Sequence, residues 1–439
     1  MDDWKEVTLA DIADIVPGFA FKGKDFGTVG QSVIKIKDII PPIIDILHTN
    51  KIDIKKYNKH KIDKYKIKKN DFVVAMTGAT IGKVGVLTKE IEAYVNQRVA
   101  IIKPHDNISK EFVYYTTQIT EFYNHIKNNI DSNSAQENIS GNSIGKYIIY
   151  IPSLDYQNRI VDILSSLDHK IELNRQVNET LEQMAQAVFQ DWFVDFGPVK
   201  RKLEGINDPV AILGGLIPDP IKAQEIANLF PDQFADNGLP EGWEVKGLDQ
   251  VADFLNGLAL QKFPALHNDD FLPVIKIAEL RNGVSANSGK ANTNIPEKFI
   301  IDDKDFIFSW SGSLLAKFWT EGKGALNQHL FKVTSTEYPH WFFSQWVYHY
   351  LKDFQQIAAA KATTMGHIQR KHLSSALVNC PSHGDIKRFG LVLSPITDLI
   401  ISNNIQNHTL AEMRDLLLPK LMSGEISVDE LEKKMGRVL

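Results

Sequence analysis

Two long segments with the same helical pattern of apolar residues constrain the fold of this chain more than any other feature. We call each row of apolar positions a seam. Residues 157–196 run without Pro or Gly, and positions three and four apart are apolar except for two central Asn. This spacing is typical of a helix that packs along another helix. The seam positions are Leu164, Leu167, Ile171, Asn174, Asn178, Leu181, Ala185, Val188 and Trp192, and 229 residues later Leu393, Ile396, Ile400, Asn403, Asn407, Leu410, Arg414, Leu417 and Leu421. We expect the two helices to pair with each other.

The repeat extends beyond the helices. Matched blocks are Trp4…Leu9 with Trp243…Leu248, 33–36 with 274–277, 71–74 with 305–308, and 96–97 with 327–328. The chain is therefore predicted to contain two copies of a globular module followed by a long helix. The predicted domains are module 1 at 1–153, a first spacer helix at 154–196, a connector at 197–242, module 2 at 243–382, a second spacer helix at 383–425 and a tail at 426–439.

Each module is predicted to be α/β. VIKIKDI, DFVVAM, VGVLT and VAIIKP are short, rich in β-branched residues and bounded by turn residues, as strands are. Segments 110–127 and 339–356 carry aromatics at helical spacing, which favours packed helices over stacking platforms for bases. The connector holds six Pro and six Gly between 197 and 242, which predicts extended or turn-rich structure with one short helix near 220–229.

Composition places few restrictions on function. The 439 residues suffice for two to four domains, and a single cysteine excludes an intramolecular disulfide. The acidic start lacks the apolar core of a signal peptide, and no run of eighteen apolar residues occurs. We therefore expect a cytoplasmic protein without membrane contact.

Charge is unevenly distributed along the chain. Residues 1–150 carry a net charge of +3, 151–242 carry −8, 243–382 carry +1 and 383–439 carry −1. The most basic run, 51–69, has nine Lys and two Asp. A solvated lysine surface is the favoured interpretation, and a patch facing phosphates is the alternative.

Catalytic motifs are missing from the sequence. GATIGKV at 78–84 resembles a phosphate-binding loop, but it has three residues between its glycines instead of four and Val84 where Ser or Thr would hold magnesium. A tight strand–turn–strand is the better interpretation. No HExxH, GxSxG, paired CxxC or helix-opening GxGxxG occurs. Two modules joined by a helical spacer of 35–40 residues, about 50–60 Å long, suit the reading of two DNA half-sites.

The layout resembles the specificity subunit of type I restriction–modification systems. The resemblance covers essentially the whole chain and is most specific in the IPS-x-x-x-Q-x-x-I entry to the first helix, the FPDQF…LPEGWEV connector and LLLPKLMSGEISV. It implies two target-recognition domains and two helices in an antiparallel coiled coil with pseudo-two-fold symmetry, so that the domains lie at opposite ends. It also implies a non-catalytic subunit that binds one half of a bipartite double-stranded DNA target with each domain.

The resemblance further implies partners and their cofactors. Two adenine-methylating modification subunits would dock on the coiled coil, joined in the full complex by restriction subunits. S-adenosylmethionine, ATP and Mg would then be bound by those partners, and no cofactor or metal by this chain. The rival interpretation is a coiled-coil adaptor that binds proteins without DNA.

The DNA-contact candidates are polar residues at matched loop positions, because Arg, Asn and Gln fit base edges. Identical pairs such as Asn96/Asn327 equally suit a turn-holding role, whereas Arg98/His329 differ and are better specificity candidates. The candidates in module 1 are Lys35, Lys37, Thr77, Thr80, Lys83, Asn96, Gln97 and Arg98. Those in module 2 are Lys276, Arg281, Ser311, Lys317, Asn327, Gln328, His329, Lys361, Thr363, Thr364 and Arg370.

Four seam residues are assigned a structural role. Asn174, Asn178, Asn403 and Asn407 are predicted to fix the register of the coiled coil, because a misaligned buried Asn would lose its partner; the alternative is that they face solvent. Near the end of the first helix, Trp192 and Phe193 are predicted to belong to the core rather than to anchor a partner.

Overall fold

The computed structural model describes residues 4–130, 137–266, 270–360 and 366–435, with backbone only for 434 and 435. The chain forms two compact units. Unit 1 contains the described residues up to His169 together with those from Ala411 onward, and unit 2 is Lys170–Leu410. Each unit therefore holds one α/β module and a stretch of both spacer helices.

The described residues of module 1 form three sheets. Their orders are β1-β13, β2-β12-β9-β10-β6-β5 and β3-β7-β4-β11-β8. The strands are β1 Lys5–Thr8, β2 Ala13–Pro17, β3 Phe26–Gly27, β4 Gln31–Ile34, β5 Ile39–Ile40, β6 Ile43–Ile44, β7 Asn50–Ile52, β8 Lys66–Ile67, β9 Phe72–Ala75, β10 Val84–Val86, β11 Ala93–Val95, β12 Val99–Pro104 and β13 Ile148–Ile151. The helices are α1 Leu9–Ile12, α2 Lys59–Ile62, α3 Lys110–Thr116, α4 Thr120–Asn128 and α5 Gly141–Gly145.

Module 2 repeats this arrangement with fewer strands. Its sheets are β14-β23, β15-β22-β19-β20 and β17-β16-β21-β18. The strands are β14 Glu244–Gly247, β15 Asp253–Asn256, β16 Leu272–Ile275, β17 Lys290–Ala291, β18 Ile300–Ile301, β19 Phe306–Ser309, β20 Ala316–Phe318, β21 Gly324–Leu326, β22 Leu330–Thr334 and β23 Leu377–Cys380. The helices are α10 Leu248–Val251, α11 Ile277–Asn282, α12 His340–Ala359 and α13 Arg370–Ser374. The predicted α/β class and internal repeat are confirmed.

The aromatic segments are packed helices, as predicted, but the first is interrupted. Phe112 and Phe122 are fully buried on α3 and α4, with a break at 117–119. The Thr116 and Thr117 hydroxyls donate to the carbonyls of Val113 and Tyr114, both at 2.6 Å. Such local bonds compete with helix propagation, and they explain the break without Pro or Gly.

The spacer helices are α6 Leu154–Phe189, extended by a π-turn at Gln190–Val194, and α14 His383–Met422. Their packing is antiparallel within each unit. In unit 1 Asp168 contacts Arg414, and in unit 2 Asn174 and Asn178 contact Asn407 and Asn403. Two prolines, Pro395 and Pro419, lie inside α14 without ending it, although each removes a backbone donor.

A charged cluster lies where these helices pack in unit 1. Arg414 Nη1 donates to Asp168 Oδ1 at 2.8 Å, and the Tyr115 hydroxyl donates to Asp168 Oδ2 at 2.7 Å. Burial opposes the charged form of Arg414, but the hydrogen bonds to Asp168 and Asp415 outweigh it and raise its pKa. The cluster thus fastens both spacer helices to α3 of module 1.

The connector is more helical than predicted. Besides α9 Pro220–Ala227, which matches the expected short helix, it contains α7 Gly197–Leu203 and α8 Pro209–Ile212. Pro198, Pro209 and Pro220 occupy first-turn positions of these helices, where a missing N–H costs nothing. Pro198 and Pro209 begin two helices that were not expected, so the prediction of a single short helix was wrong, whereas turns do join the helices.

The buried aromatics of the first spacer helix belong to the core, as predicted. Trp192 and Phe193 are both 0% exposed. Phe193 packs against Trp243 at the start of module 2, with ring centroids 5.8 Å apart, and against Phe389 of α14 at 5.3 Å. The connector and both spacer helices therefore share one hydrophobic cluster in unit 2. Among the described residues, no helix is long and apolar enough to cross a membrane.

Candidate nucleic-acid interface

Three segments of module 1 meet at the carboxyl ends of its central strands. The turn at 96–98 joins the end of β4, because Asn96 N donates to Ile34 O at 3.0 Å. It also joins the end of β9, because Met76 N donates to Arg98 O at 3.0 Å. The third segment pairs Asn138 with Thr77. Because β4 and β11 are parallel, the residues that follow them lie at the same edge.

The same convergence occurs in module 2. Asn327 N donates to Ile275 O at 3.1 Å, and Trp310 N donates to His329 O at 3.3 Å. The third segment pairs His367 with Ser311. We call these two convergent surfaces the module 1 edge (35–37, 77–83, 96–98, 137–138) and the module 2 edge (276, 310–314, 327–329, 366–367).

Side chains at the module 1 edge differ in exposure. Lys83, Gln97 and Arg98 are exposed, and Asn96 is half-buried. Thr77 is buried at 4% exposure, and the buried hydroxyl of Thr80 has no hydrogen-bond partner among the described residues. The exposed candidates are therefore Lys37, Lys83 and the last two residues of the turn.

The two lysines after β4 are held differently. Lys35 Nζ donates to Asn50 Oδ1 at 3.0 Å and lies 3.6 Å from the centroid of the Phe26 ring. Burial, helped by the charge of Lys37, lowers the pKa of Lys35. Lys37 is 58% exposed and lies 3.8 Å from Asp38. Lys37 is thus the freer cation of the two.

A hydrogen-bonded chain occupies the module 2 edge. Ser311 Oγ lies 2.9 Å from His329 Nδ1, and Gln328 Nε2 lies 3.4 Å from His329 Nε2. The Gln328 amide nitrogen can only donate, so this contact requires the His329 tautomer in which Nε2 accepts and Nδ1 donates to Ser311 Oγ. Asn327 is 3% exposed and its Oδ1 accepts from His329 N at 3.3 Å. Asn327 therefore holds the turn, and half-buried Gln328 and His329 form its outer face.

Six amide side chains form the polar layer of the coiled coil in unit 2. Asn174 Nδ2 donates to Asn407 Oδ1 at 2.9 Å, and Asn403 Nδ2 donates to Asn178 Oδ1 at 2.8 Å. These two bonds are equivalent under the 229-residue repeat. Gln406 and Asn404 accept further bonds from Asn174 and Asn178. Asn174 and Asn178 are 2% and 5% exposed, so the alternative in which they face solvent is wrong.

A family model for the type I restriction modification DNA specificity domain matches residues 1–183 and 240–410. The chain belongs to that family. As a specificity subunit it is 28% identical to the type I restriction enzyme HindI specificity subunit of Haemophilus influenzae, over 97% of this chain and 100% of the relative. It is 25% identical to the MjaIX specificity subunit of Methanocaldococcus jannaschii, over 82% of this chain and 78% of the relative.

A solved structure supports the fold of the specificity subunit. The type I restriction–modification S subunit from M. genitalium superimposes with a TM-score of 0.53 at 14% identity, over 96% of each chain. The two long packed helices and the two α/β modules described above are therefore those of a specificity subunit.

One matched pair in the specificity subunit was aligned wrongly from sequence. Ala75 N donates to Lys83 O, whereas the equivalent Ser309 N donates to Leu315 O. The turn of module 2 is thus two residues shorter, and Lys317 lies opposite Ile307 inside β20. Burial lowers the pKa of Lys317. Lys317 is a strand residue and not the loop counterpart of Lys83.

The remaining module 2 candidates lie around the edge. Arg370 Nη2 donates to Phe254 O at 3.2 Å, and its guanidinium lies 5.9 Å from the Phe331 ring. Lys276 is exposed, and exposed Arg281 lines an open cavity of about 400 Å³ with Ser313, Gln355 and Gly366. Lys361, Thr363 and Thr364 lie outside the described residues.

Sequence reasoning missed Trp310 and His367. The Trp310 ring lies 5.8 Å from that of His329 and 6.3 Å from that of His367. Trp310 Nε1 also donates to Gln328 O at 3.2 Å. The repeat offset aligns Trp310 with Met76, and this change of residue type was the available signal.

Proposed function

We propose that this specificity subunit binds double-stranded DNA and that each module reads one half of a bipartite target. Methylation, and cleavage where restriction subunits join, would be carried out by partners that bind S-adenosylmethionine, ATP and Mg. The observation that carries the proposal is a shared edge with different outer residues. Both modules build the same three-segment framework, yet Arg98 stands in one where His329 stands in the other.

The chemistry of the two edges supports different target bases. An exposed Arg suits the O6 and N7 acceptors of guanine, and Gln suits adenine. At the module 1 edge Gln97 and Arg98 are both exposed, whereas the outer pair of module 2 is Gln328 and His329. One framework with unequal side chains is what a reader of two unlike half-sites requires.

The direct test uses the chain together with its modification subunit. We expect salt-dependent binding to a DNA duplex that carries the methylated sequence, and weaker binding to a duplex without it. Binding that is independent of DNA sequence and salt would contradict the proposal. Complex formation with no DNA binding at all would instead favour the protein adaptor.

Arg98→Ala is expected to weaken recognition of one half-site only. Loss of a bidentate contact to a base costs about 1–3 kcal/mol, or roughly 5- to 150-fold in affinity. Methylation-site sequencing in cells should show relaxed base preference in one half of the motif. Arg175→Ala is the matched control, because Arg175 is 59% exposed on α6. Equal relaxation of both halves would contradict the assignment of one half-site to each module.

We further propose that the spacer helices dock two copies of the modification subunit through equivalent patches. Met184 is 47% exposed and Met413, 229 residues later, is 46% exposed. Each follows the same Thr-Leu pair, and Thr180 and Thr409 make the same bond to the carbonyl four residues earlier, at 3.1 and 3.2 Å. Exposed methionines suit a protein contact because their side chains adapt to a partner surface.

Met184→Glu and Met413→Glu should each remove one modification subunit. A buried carboxylate without a partner is costly, so we expect at least about a tenfold loss of affinity at the altered patch, near 1.4 kcal/mol. Native mass spectrometry should show complexes with a single modification subunit. Leu173→Glu is the control, since Leu173 is 53% exposed on α6 and its repeat counterpart is Ser402. If the control lost a subunit equally, the methionine patches would not be the docking points.

A further inference from the structure

The lysine-rich stretch of module 1 has no counterpart in module 2. In module 1, residues 53–65 connect β7 to β8; in module 2, residues 292–299 connect the equivalent strands β17 and β18. The first connection has five Lys and two Asp, and the second has one Lys and one Glu. The two connections therefore differ by five residues in length and by three units of net charge.

The connection is fixed beside the module 1 edge by aromatic packing. The Phe19 ring lies 5.8 Å from the Tyr57 ring and 5.4 Å from the Tyr65 ring. The backbone of Phe19 is itself bonded to the turn, because Phe19 N donates to Val95 O and Gln97 N donates to Phe19 O. Residues 57–65 thus begin and end next to the turn that carries Gln97 and Arg98.

The cations between these anchors face solvent. Ile62 is 0% exposed and anchors α2, whereas Lys59 and Lys61 of the same helix are exposed, as are Lys55 and Lys56 before it. Within the described parts of the chain, no hydrogen-bond or ion-pair partner is found for these four amines. The tyrosine at the first anchor is fixed as well, because its hydroxyl donates to Asp25 Oδ2 at 2.6 Å.

We infer that residues 53–65 are a phosphate-binding arm that contacts the DNA backbone flanking the first half-site. The inference rests on the proposed function, because it takes the module 1 edge to be the base-reading surface. Unpaired lysines beside such a surface neutralise phosphates and release counterions, and this contact carries no base preference. The two modules then contribute unequally to affinity, because module 1 binds the phosphates through its arm in addition to the base contacts made by its edge.

The test is the salt dependence of DNA binding by the complex of this chain with its modification subunit. Each phosphate contact contributes about 0.9 to the slope of log K against log salt. For Lys59→Gln with Lys61→Gln, we expect the slope to fall by about two, with the methylated sequence unchanged. Lys68→Gln with Lys89→Gln is the control that removes the same charge. Both lysines are exposed, and they lie before β9 and after β10, at the ends of these strands that face away from the module 1 edge.

Shortening the duplex gives a second readout. Removing base pairs outside the first half-site should weaken the unaltered complex several-fold and the Lys59/Lys61 variant little. If that variant binds specifically with an unchanged slope of log K against log salt, the inference of a phosphate-binding arm is wrong and the proposed function stands. Failure of the variant to assemble with the modification subunit would assign the lysines to protein contact and also overturn the arm. No DNA binding by the unaltered complex would instead overturn the proposed function.

Discussion

Phe193→Ala is expected to destabilise unit 2 by about 3–5 kcal/mol, the usual effect of truncating a buried Phe. The Phe193 side chain is fully buried, and its ring lies within 6 Å of the rings of Phe189, Trp243, Trp341 and Phe389. Those partners come from α6, the start of module 2, α12 and α14. The cavity left by alanine would therefore open at the meeting point of four separate segments.

Hydrogen exchange followed by peptide can localise this effect. Protection should fall throughout 170–410 and much less in module 1, because Phe193 lies in unit 2. Leu173→Ala serves as the control, since Leu173 lies on the same helix with half of its surface exposed. Equal loss of protection in both units would mean that the chain unfolds as a single cooperative body, contrary to the division described above.

Replacing Asn174 and Asn403 together with Leu should loosen the register of the coiled coil. Each donates a hydrogen bond across the pair, so the substitutions leave Asn407 Oδ1 and Asn178 Oδ1 without those donors. An unsatisfied buried group costs about 1–3 kcal/mol. The substitutions also make shifted alignments of the two helices less unfavourable. Leucines can pack in several alignments, whereas buried amides are paired in only one.

If the coiled coil sets the distance between the two half-sites, this variant will methylate targets with more than one spacer length. Methylation profiling of a DNA library with varied spacers measures that directly. Gln186→Leu with Ser402→Leu is the control, because both positions are exposed on the same two helices. An unchanged spacer preference, with the helices still folded by circular dichroism, would reduce the amide layer to a stabilising role.

The seam was predictable from sequence because the residues that pack between two helices recur at a regular spacing of three and four. Asn174, Asn178, Asn403 and Asn407 recur with their apolar neighbours at fixed spacing, and a buried amide among apolar residues has few alternatives to pairing. The same periodicity placed Trp192 in the core. It could not reveal that the connector completes that core, because Phe230 reaches Trp192 through tertiary packing alone.

Some predictions of local secondary structure were wrong because the same residue type occurs in two kinds of structure. Proline suggested extended chain in the connector, but at Pro198, Pro209 and Pro220 it occupies the first turn of a helix. Threonine hydroxyls interrupt the helix of 110–127 although threonine alone is no strong breaker. The Lys83/Lys317 match failed because a two-residue deletion in the turn shifts the alignment of the strand that follows it.

The sequence indicated which loops carry the candidate DNA-contact residues, but it did not indicate which of their side chains are exposed. Polar residues that follow parallel strands meet at one edge, so β4 and β11 place 35–37 beside 96–98. Which of these side chains are exposed depends on packing, and Thr77, Ser311 and Asn327 proved to be buried. The aromatic contacts that hold residues 53–65 beside Gln97 link positions far apart in sequence, which no local pattern encodes.

The ion pair between Asp168 and Arg414 has a consequence for self-association. A repeated seam could equally pair with its own copy in a second molecule, since Asn174 and Asn178 would exchange amides in such a dimer as well. The repeat relates Asp168 to Thr397 and Arg414 to Ala185, so these two charges are not duplicated. In a pairing of like helices, Asp168 would face Ala185 and Arg414 would face Thr397, leaving both charges without their partner. The seam thus distinguishes unlike from like helices, and favours one chain closing on itself over two chains joining by their first helices.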